Sequence, residues 1–257
     1  GWESLLINNW KKKTKSLVHL VSHDAKRYWD MRYQYSKKMF QNKYIKNFPF
    51  ADFYISHGEY AFKNMSNFIP KSMLLSAEAL RFNDIRVIKK SKISKPYQIL
   101  ILSSASFSLT NYLLEISNNF QNKYPGLFNF LFKPHPDTVI KKFNYSDIKL
   151  LNPKVTLSDL VKNSDLVFTS ASTSAALDAY LAGINVITLL DKSIPNISPL
   201  YNCNGINYCY DFKSFEEIVL NLRLDINFST KNNKEYFYSS KDLLLWTKIL
   251  DMKNKKL

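Results

Sequence analysis

The chain has 257 residues, enough for one large domain or two smaller ones with a substantial buried core. Hydrophobic residues make up 46% and charged residues 22%, which excludes a disordered chain. Lys and Arg total 36 against 21 Asp and Glu, a net +15 that would suit nucleic acid, a membrane surface or a phosphorylated substrate. Residues 1–100 carry 19 basic and 7 acidic side chains, so most of the excess lies there and the remainder is nearly balanced.

In chain order, residues 2–17 and 24–44 are polar, basic and aromatic and read as helices around a short apolar piece, Leu17–Val21. Phe50–Ser56 reads as a buried strand ending at His57-Gly58, and Glu59–Asn67 as the helix after it. Pro70 opens an irregular stretch, and Lys89–Pro96 is a charged, proline-ended linker. It divides the chain into an N-terminal part, 1–92, and a second domain, 93–257.

Past the linker, strands and helices alternate. Tyr97–Ser103, Phe128–Phe132, Asp147–Leu151, Leu166–Thr169 and Ile184–Leu190 read as strands. Leu109–Asn122, Thr156–Asn163, Thr173–Leu181, Phe215–Leu222 and Lys241–Met252 read as helices. Alternating units with continuous apolar strands predict an α/β domain with a parallel sheet covered on both faces. Ligands of such sheets bind beyond the carboxyl ends of the strands, so the residues just after each strand are the ones to inspect.

Three segments stand there. Ser103, Ser104 and Ser106 follow the first strand, where small hydroxyl residues let the backbone approach a ligand. Lys133-Pro134-His135-Pro136 follows the second; the flanking prolines restrict the backbone and hold the imidazole at the strand exit. A neutral histidine donates one hydrogen bond, and a protonated one can neutralise a phosphate or hand it a proton. The third, from Thr169 to Asp178, runs a strand into Ser170, Ser172, Thr173 and Ser174 and then an alanine-rich helix. Hydroxyls and amides at a helix start hold phosphate, and Asp178 one turn on can accept from sugar hydroxyls; the alternative is an ordinary capping cluster. With five glycines in the chain, no glycine-rich phosphate loop can be written, which excludes a P-loop NTPase and an ordinary dinucleotide-binding enzyme. Cys203 and Cys209, with His19, His23, His57 and His135, make no zinc spacing and read as unpaired thiols of a reducing cytoplasm.

The run FTSASTSAALDAYLAGINVITLLD, preceded by LVKNSDLV and FKPHPD, resembles the C-terminal half of a GT-B glycosyltransferase. A His-Pro motif with such a Ser/Thr cluster is similar to bacterial transferases that use CMP-activated acidic sugars: sialic acid, other nonulosonic acids or Kdo. The likeness is to proteins of capsule and lipopolysaccharide synthesis, in which Asp191–Leu200 would follow the last donor-site strand. It covers about residues 97–210. Before that, the segments from His23 to Tyr33 and from Ala77 to Phe82 look like pieces of the same family.

The resemblance implies a GT-B-like fold: a Rossmann-type donor domain and a reduced or truncated N-terminal α/β acceptor part. It implies metal-independent transfer without a cofactor, from a nucleotide sugar to a glycan or lipid-linked acceptor. Ser103, Ser104, Ser106, Lys133, Pro134, His135, Ser170, Ser172, Thr173, Ser174 and Asp178 are the expected donor-binding residues, with His135 stabilising the CMP leaving group. Asp24, Asp30 and His23 are the candidate bases, and Arg27, Arg32 and Glu78 the candidate acceptor contacts, with Glu78 also a base candidate. A CDP-glycerol-type polyol-phosphate transferase and an inactive nucleotide-binding half-module are the alternatives. The basic N-terminal part suits peripheral contact with an anionic membrane from the cytoplasmic side. No nucleic-acid-binding signature is present, so nucleic acid is not an expected partner.

Overall fold

The computed structural model describes residues 2–22, 34–41, 48–83, 85, 96–104, 106–136, 143–152, 154–201, 203–222 and 236–252. They fall into two compact units, one of residues 1–84 and 232–257 and one of residues 85–231.

The first unit opens with α1 (Trp2–Lys13), β1 (His19–Val21) and α2 (Lys37–Gln41). Then come β2 (Phe53–Ser56), α3 (Glu59–Ser66) and β3 (Leu74–Ser76), which follows a 3-10 turn after Pro70. The three strands are parallel, in the order β1-β2-β3. Ile7, Tyr54, Met65, Ile69 and Leu74 form the core below them. Asp52 ties α1 to the sheet: one carboxylate oxygen accepts from Lys11 Nζ at 2.7 Å, the other from the Val18 N–H at 2.7 Å.

The second unit contains β4 (Tyr97–Leu102), α4 (Phe107–Lys123), β5 (Phe128–Lys133), β6 (Ile148–Leu150) and α5 (Leu157–Lys162). It continues through β7 (Leu166–Ser170), α6 (Ala175–Leu181), β8 (Asn185–Leu189), β9 (Asn207–Cys209) and α7 (Phe212–Asn221). All six strands are parallel, in the order β6-β5-β4-β7-β8-β9. That order reverses direction at β4 and β7, the doubly wound arrangement in which ligands collect at the switch point. The central strands are apolar because both faces are covered: Ile99, Leu100, Ile101, Leu166, Val167 and Phe168 are fully buried. α4 and α7 pack on one face, where Phe120 and Phe168 both meet Phe215, at ring distances of 5.3 and 4.3 Å. The α6 helix ends at Gly183, whose φ of +81 is the left-handed geometry glycine adopts without strain.

From residue 232 the chain belongs to the first unit again, ending in α8 (Leu244–Asp251). The expected domain of 93–257 is therefore too long at its carboxyl end. Tyr238 donates its N–H to the His57 carbonyl and accepts the Ala79 N–H, and Asn83 and Ser240 exchange two hydrogen bonds. Gly58 is needed for this return, because a Cβ there would stand 1.9 Å from the Tyr236 carbonyl oxygen.

Candidate functional site

β4 and β7 lie side by side, with Leu102 opposite Thr169, and the Thr169 hydroxyl donates to the Leu102 carbonyl at 3.1 Å. The serine runs expected to hold a ligand therefore leave the sheet from neighbouring strands at the switch point. Most of their hydroxyls are engaged locally. Ser103 Oγ accepts the His135 N–H, which brings the first two predicted segments together through one hydrogen bond. Ser104 Oγ accepts the Ser106 N–H at 3.2 Å, and Ser106 caps α4 by accepting from Leu109 N at 3.4 Å. Ser104 and Ser106 thus also shape the turn that leads into α4.

The third segment divides likewise. Thr173 Oγ1 accepts the Ala175 N–H at 3.3 Å and so takes the capping task that falls to no side-chain bond of Ser174. Ser170 and Ser172 share a hydroxyl–hydroxyl hydrogen bond of 3.1 Å. Ser170 is buried, whereas Ser172 lies on the wall of a cavity of about 260 Å³. Asp178 is half-buried in the first turn of α6 and does not line that cavity. Lys133 points its ammonium at the Val155 carbonyl, 2.8 Å away, and burial lowers its pKa. Pro134 is buried and His135 half-buried at the end of β5; neither lines the cavity.

The cavity stands past the carboxyl ends of β7, β8 and β9. Leu109, Leu190, Ile197 and Tyr210 supply its apolar lining, and Asp191 and Lys192 stand among its polar groups. The loop after β8 is held in shape by its own side chains. Asp191 Oδ1 accepts the N–H and hydroxyl of Ser193, at 2.8 and 2.6 Å, and these bonds hold the carboxylate below its usual pKa. Asn196 Oδ1 accepts the Ser198 N–H at 2.9 Å, and Ser198 Oγ accepts the Leu200 N–H at 3.1 Å. Tyr208 anchors the far end by donating to the Leu200 carbonyl at 3.0 Å. The Lys192 ammonium lies 5.5 Å from the Tyr210 ring centre and 3.6 Å from the Asp211 carboxylate, an exposed ion pair. A slot walled by a tyrosine and aliphatic side chains, with a serine and a lysine at its edge, suits a flat ring joined to an anion. Asp191–Leu200 follows β8, with β9 still to come, and the sequence reading did not single out Leu109 and Tyr210, which only the strand order brings to the same lining.

In the first unit, Glu78 does not serve as an acceptor contact. It is 2% exposed, and its two carboxylate oxygens accept the N–H groups of Leu245 and Trp246 at 2.9 and 3.1 Å. Those are orphan donors at the start of α8, whose N-cap residue Leu243 sits in the left-handed region (φ +48) and offers no side-chain cap. His23, Asp24, Arg27, Asp30 and Arg32 lie outside the described residues. Cys209 is buried and Cys203 half-buried, and burial pushes the Cys209 thiol up to about 12.

No family profile and no curated protein matches this sequence. Solved structures do. UDP-GlcNAc 2-epimerase from Neisseria meningitidis, bound to UDP-GlcNAc, matches 94% of this chain and 71% of its own at 13% identity, with a TM-score of 0.60. The S. aureus MnaA–UDP structure matches 98% of this chain and 78% of its own at 10% identity, with a TM-score of 0.58. TarM matches 94% of this chain at 14% identity and a TM-score of 0.53, and the match spans 51% of TarM. At these identities the shared property is the fold, which is GT-B-like with Rossmann-type parallel sheets.

Proposed function

We propose that this chain is a GT-B-type glycosyltransferase of cell-surface carbohydrate synthesis whose second unit binds a nucleotide-linked sugar. The observation that carries this is the walled cavity at the carboxyl ends of β7–β9, with Ser172 on its wall beside the switch point of a doubly wound sheet. The nucleobase and ribose fill the cavity against Leu109 and Tyr210, and the phosphate lies toward Ser172 and Lys192. Two neighbours are named with UDP or UDP-GlcNAc, which supports a pyrimidine nucleotide. The sequence resemblance favours a CMP-linked acidic sugar, and the neighbours' names make a UDP-linked sugar the second reading.

In such a transfer an acceptor hydroxyl oxygen bonds to the anomeric carbon, and the bond from that carbon to the phosphate oxygen breaks. The hydroxyl proton passes to a base, for which Asp24, Asp30 and His23 are the candidates the sequence offers. The departing phosphate takes the negative charge, which the Lys192 ammonium and the Ser172 hydroxyl on the cavity offset. A CMP-sugar has one phosphate to neutralise, which suits a metal-independent reaction.

A second feature bears on where the acceptor is met. On α1, Leu5, Leu6 and Trp10 are 66%, 57% and 47% exposed, and Lys11, Lys12, Lys13 and Lys15 follow. Apolar side chains beside a basic cluster suit the interface of an anionic bilayer, where lipid-linked acceptors reside. Among the described residues, no helix is long and apolar enough to cross a membrane. Vesicles containing phosphatidylglycerol should sediment the protein at low salt, and Leu6→Ser with Trp10→Ser should release it. Equal binding of both proteins contradicts the assignment of α1.

The nucleotide is tested by thermal stabilisation with CMP, CDP, UDP and GDP at matched concentration. A ligand at about 100 times its Kd adds about 2.7 kcal/mol. Stabilisation led by CMP supports the acidic-sugar donor, and stabilisation led by UDP replaces it with a UDP-sugar. No response to any nucleotide overturns the proposal.

A further inference from the structure

A second cavity, of about 130 Å³, lies within the first unit, at the carboxyl edge of its sheet. Val21, His57, Ala79 to Phe82 and Trp246 line it. Its polar groups are engaged with the protein itself. The His57 ring meets the Ala77 carbonyl and the Ser22 and Glu78 backbone, and the Trp246 indole N–H donates to the Glu78 carbonyl at 2.8 Å.

The cavity of the second unit keeps an acceptor. Asp191 lines it, directly after β8. The N–H and hydroxyl of Ser193, at 2.8 and 2.6 Å, both donate to Oδ1. Ser193 is the partner of this carboxylate among the described residues, which leaves Oδ2 as an acceptor. The neighbouring cation is directed elsewhere: the Lys192 ammonium lies 3.6 Å from Asp211 and 5.5 Å from the Tyr210 ring centre. The two bonds from Ser193 also fix the carboxylate in its loop and favour its charged form, so it is ionised at neutral pH. An ionised carboxylate accepts and cannot donate, so it selects ligand groups that carry a hydrogen.

The surroundings indicate which donor. Leu190, Ile194, Pro195 and Ile197 share the lining with Asp191. Aliphatic side chains cover the flat face of a base without competing for its edge, whereas sugar hydroxyls against them would lose their hydrogen bonds to water. Cytosine carries an exocyclic amino group where uracil carries a carbonyl oxygen, and a carboxylate pairs with that amino group in base recognition. Uracil in the same pose would set two acceptors face to face.

We propose that Asp191 selects cytosine over uracil, its Oδ2 accepting a hydrogen bond from the exocyclic amino group of the base. This rests on the nucleotide site proposed above; the choice of base rests on the carboxylate.

Calorimetric titration of the full chain with CMP, UMP and 2′,3′-dideoxy-CMP tests it, on the unaltered protein and on Asp191→Asn. The amide keeps an oxygen for Ser193 and turns the other position from acceptor into donor. CMP should bind the unaltered protein about tenfold more tightly than UMP. Asp191→Asn should weaken CMP about tenfold and leave UMP unchanged or tighter, and Asp191→Ala should bring the two to about equal affinity. Each readout is a ratio of two ligands on one variant, so it does not depend on the fraction of protein folded. Dideoxy-CMP should lose as much as CMP in Asp191→Asn; no loss for this probe makes the ribose hydroxyls the donors and overturns the proposal. A preference of the unaltered protein for UMP, or equal changes for CMP and UMP in Asp191→Asn, overturns it while the nucleotide site stands. No binding of any probe overturns both.

Discussion

The cavity of the second unit is walled by a loop that holds itself: Asp191 binds Ser193, Asn196 binds Ser198, and each bond spans two residues. The cavity of the first unit is walled by Trp246, and the carboxylate that fixes it, Glu78, stands 168 residues away in the chain. Both cavities lie at the carboxyl edge of a parallel sheet, as the crossover geometry dictates. The difference shows that the same sheet edge can be finished by local turns or by a distant segment. Local turns leave a trace in the sequence, whereas a distant segment does not.

The largest effect is expected where the distant segment meets the sheet. Gly58→Ala puts a Cβ against the Tyr236 carbonyl and should cost ~3 kcal/mol, read as a lower urea midpoint. An unchanged midpoint would mean that the segment is not seated there. Glu78→Ala should cost ~2 kcal/mol by leaving two N–H groups of α8 without their acceptor, and Glu78→Gln should recover about half. Equal losses for Ala and Gln would contradict the capping role.

In the second unit the walls should survive substitution and binding should change. Ser172→Ala should weaken nucleotide binding by about 1 kcal/mol, roughly fivefold, with no change in melting temperature of the free protein. The pH dependence separates the units further. The depressed pKa of buried His57 means that the unfolded chain binds the proton first as pH falls. The first unit is therefore fully stabilised above about pH 6.5 and loses stability below it, as protons reach the unfolded state. Urea midpoints measured from pH 8 to 5 should show this fall, and His57→Gln should flatten it. The smallest effect is chemical: at pH 8, iodoacetamide should label Cys203 and spare Cys209, whose thiol is buried and raised to about 12. Equal labelling by mass spectrometry would contradict the burial of β9.

The same contrast explains what could be read from the sequence. The runs at β4, β7 and β8 announce themselves because strands covered on both faces are largely apolar, and β5 through its alternation of buried Phe128, Phe130 and Phe132 with exposed Asn129. β3 and β9 have three residues each, too short for a pattern, and β3 follows directly on a turn. The serine-rich strand ends were legible as a switch-point feature. Which hydroxyl faces the cavity was not, because Ser104, Ser106 and Thr173 reach local N–H groups in turns of undefined geometry at the level of sequence. Glu78 reads as a free acid near a strand end until α8 is placed beside it. His57 reads in the sequence only as the end of a strand, whereas the structure buries it with Nδ1 3.1 Å from the Ala77 carbonyl oxygen, on the lining of the second cavity.

Backbone resonances followed during titration with CMP or UDP test the central claim most directly. The account predicts shifts concentrated at Ser172, Asp191, Lys192 and Tyr210, with Val21, His57 and Trp246 unmoved. Shifts confined to the second set, or none in the first, would contradict it.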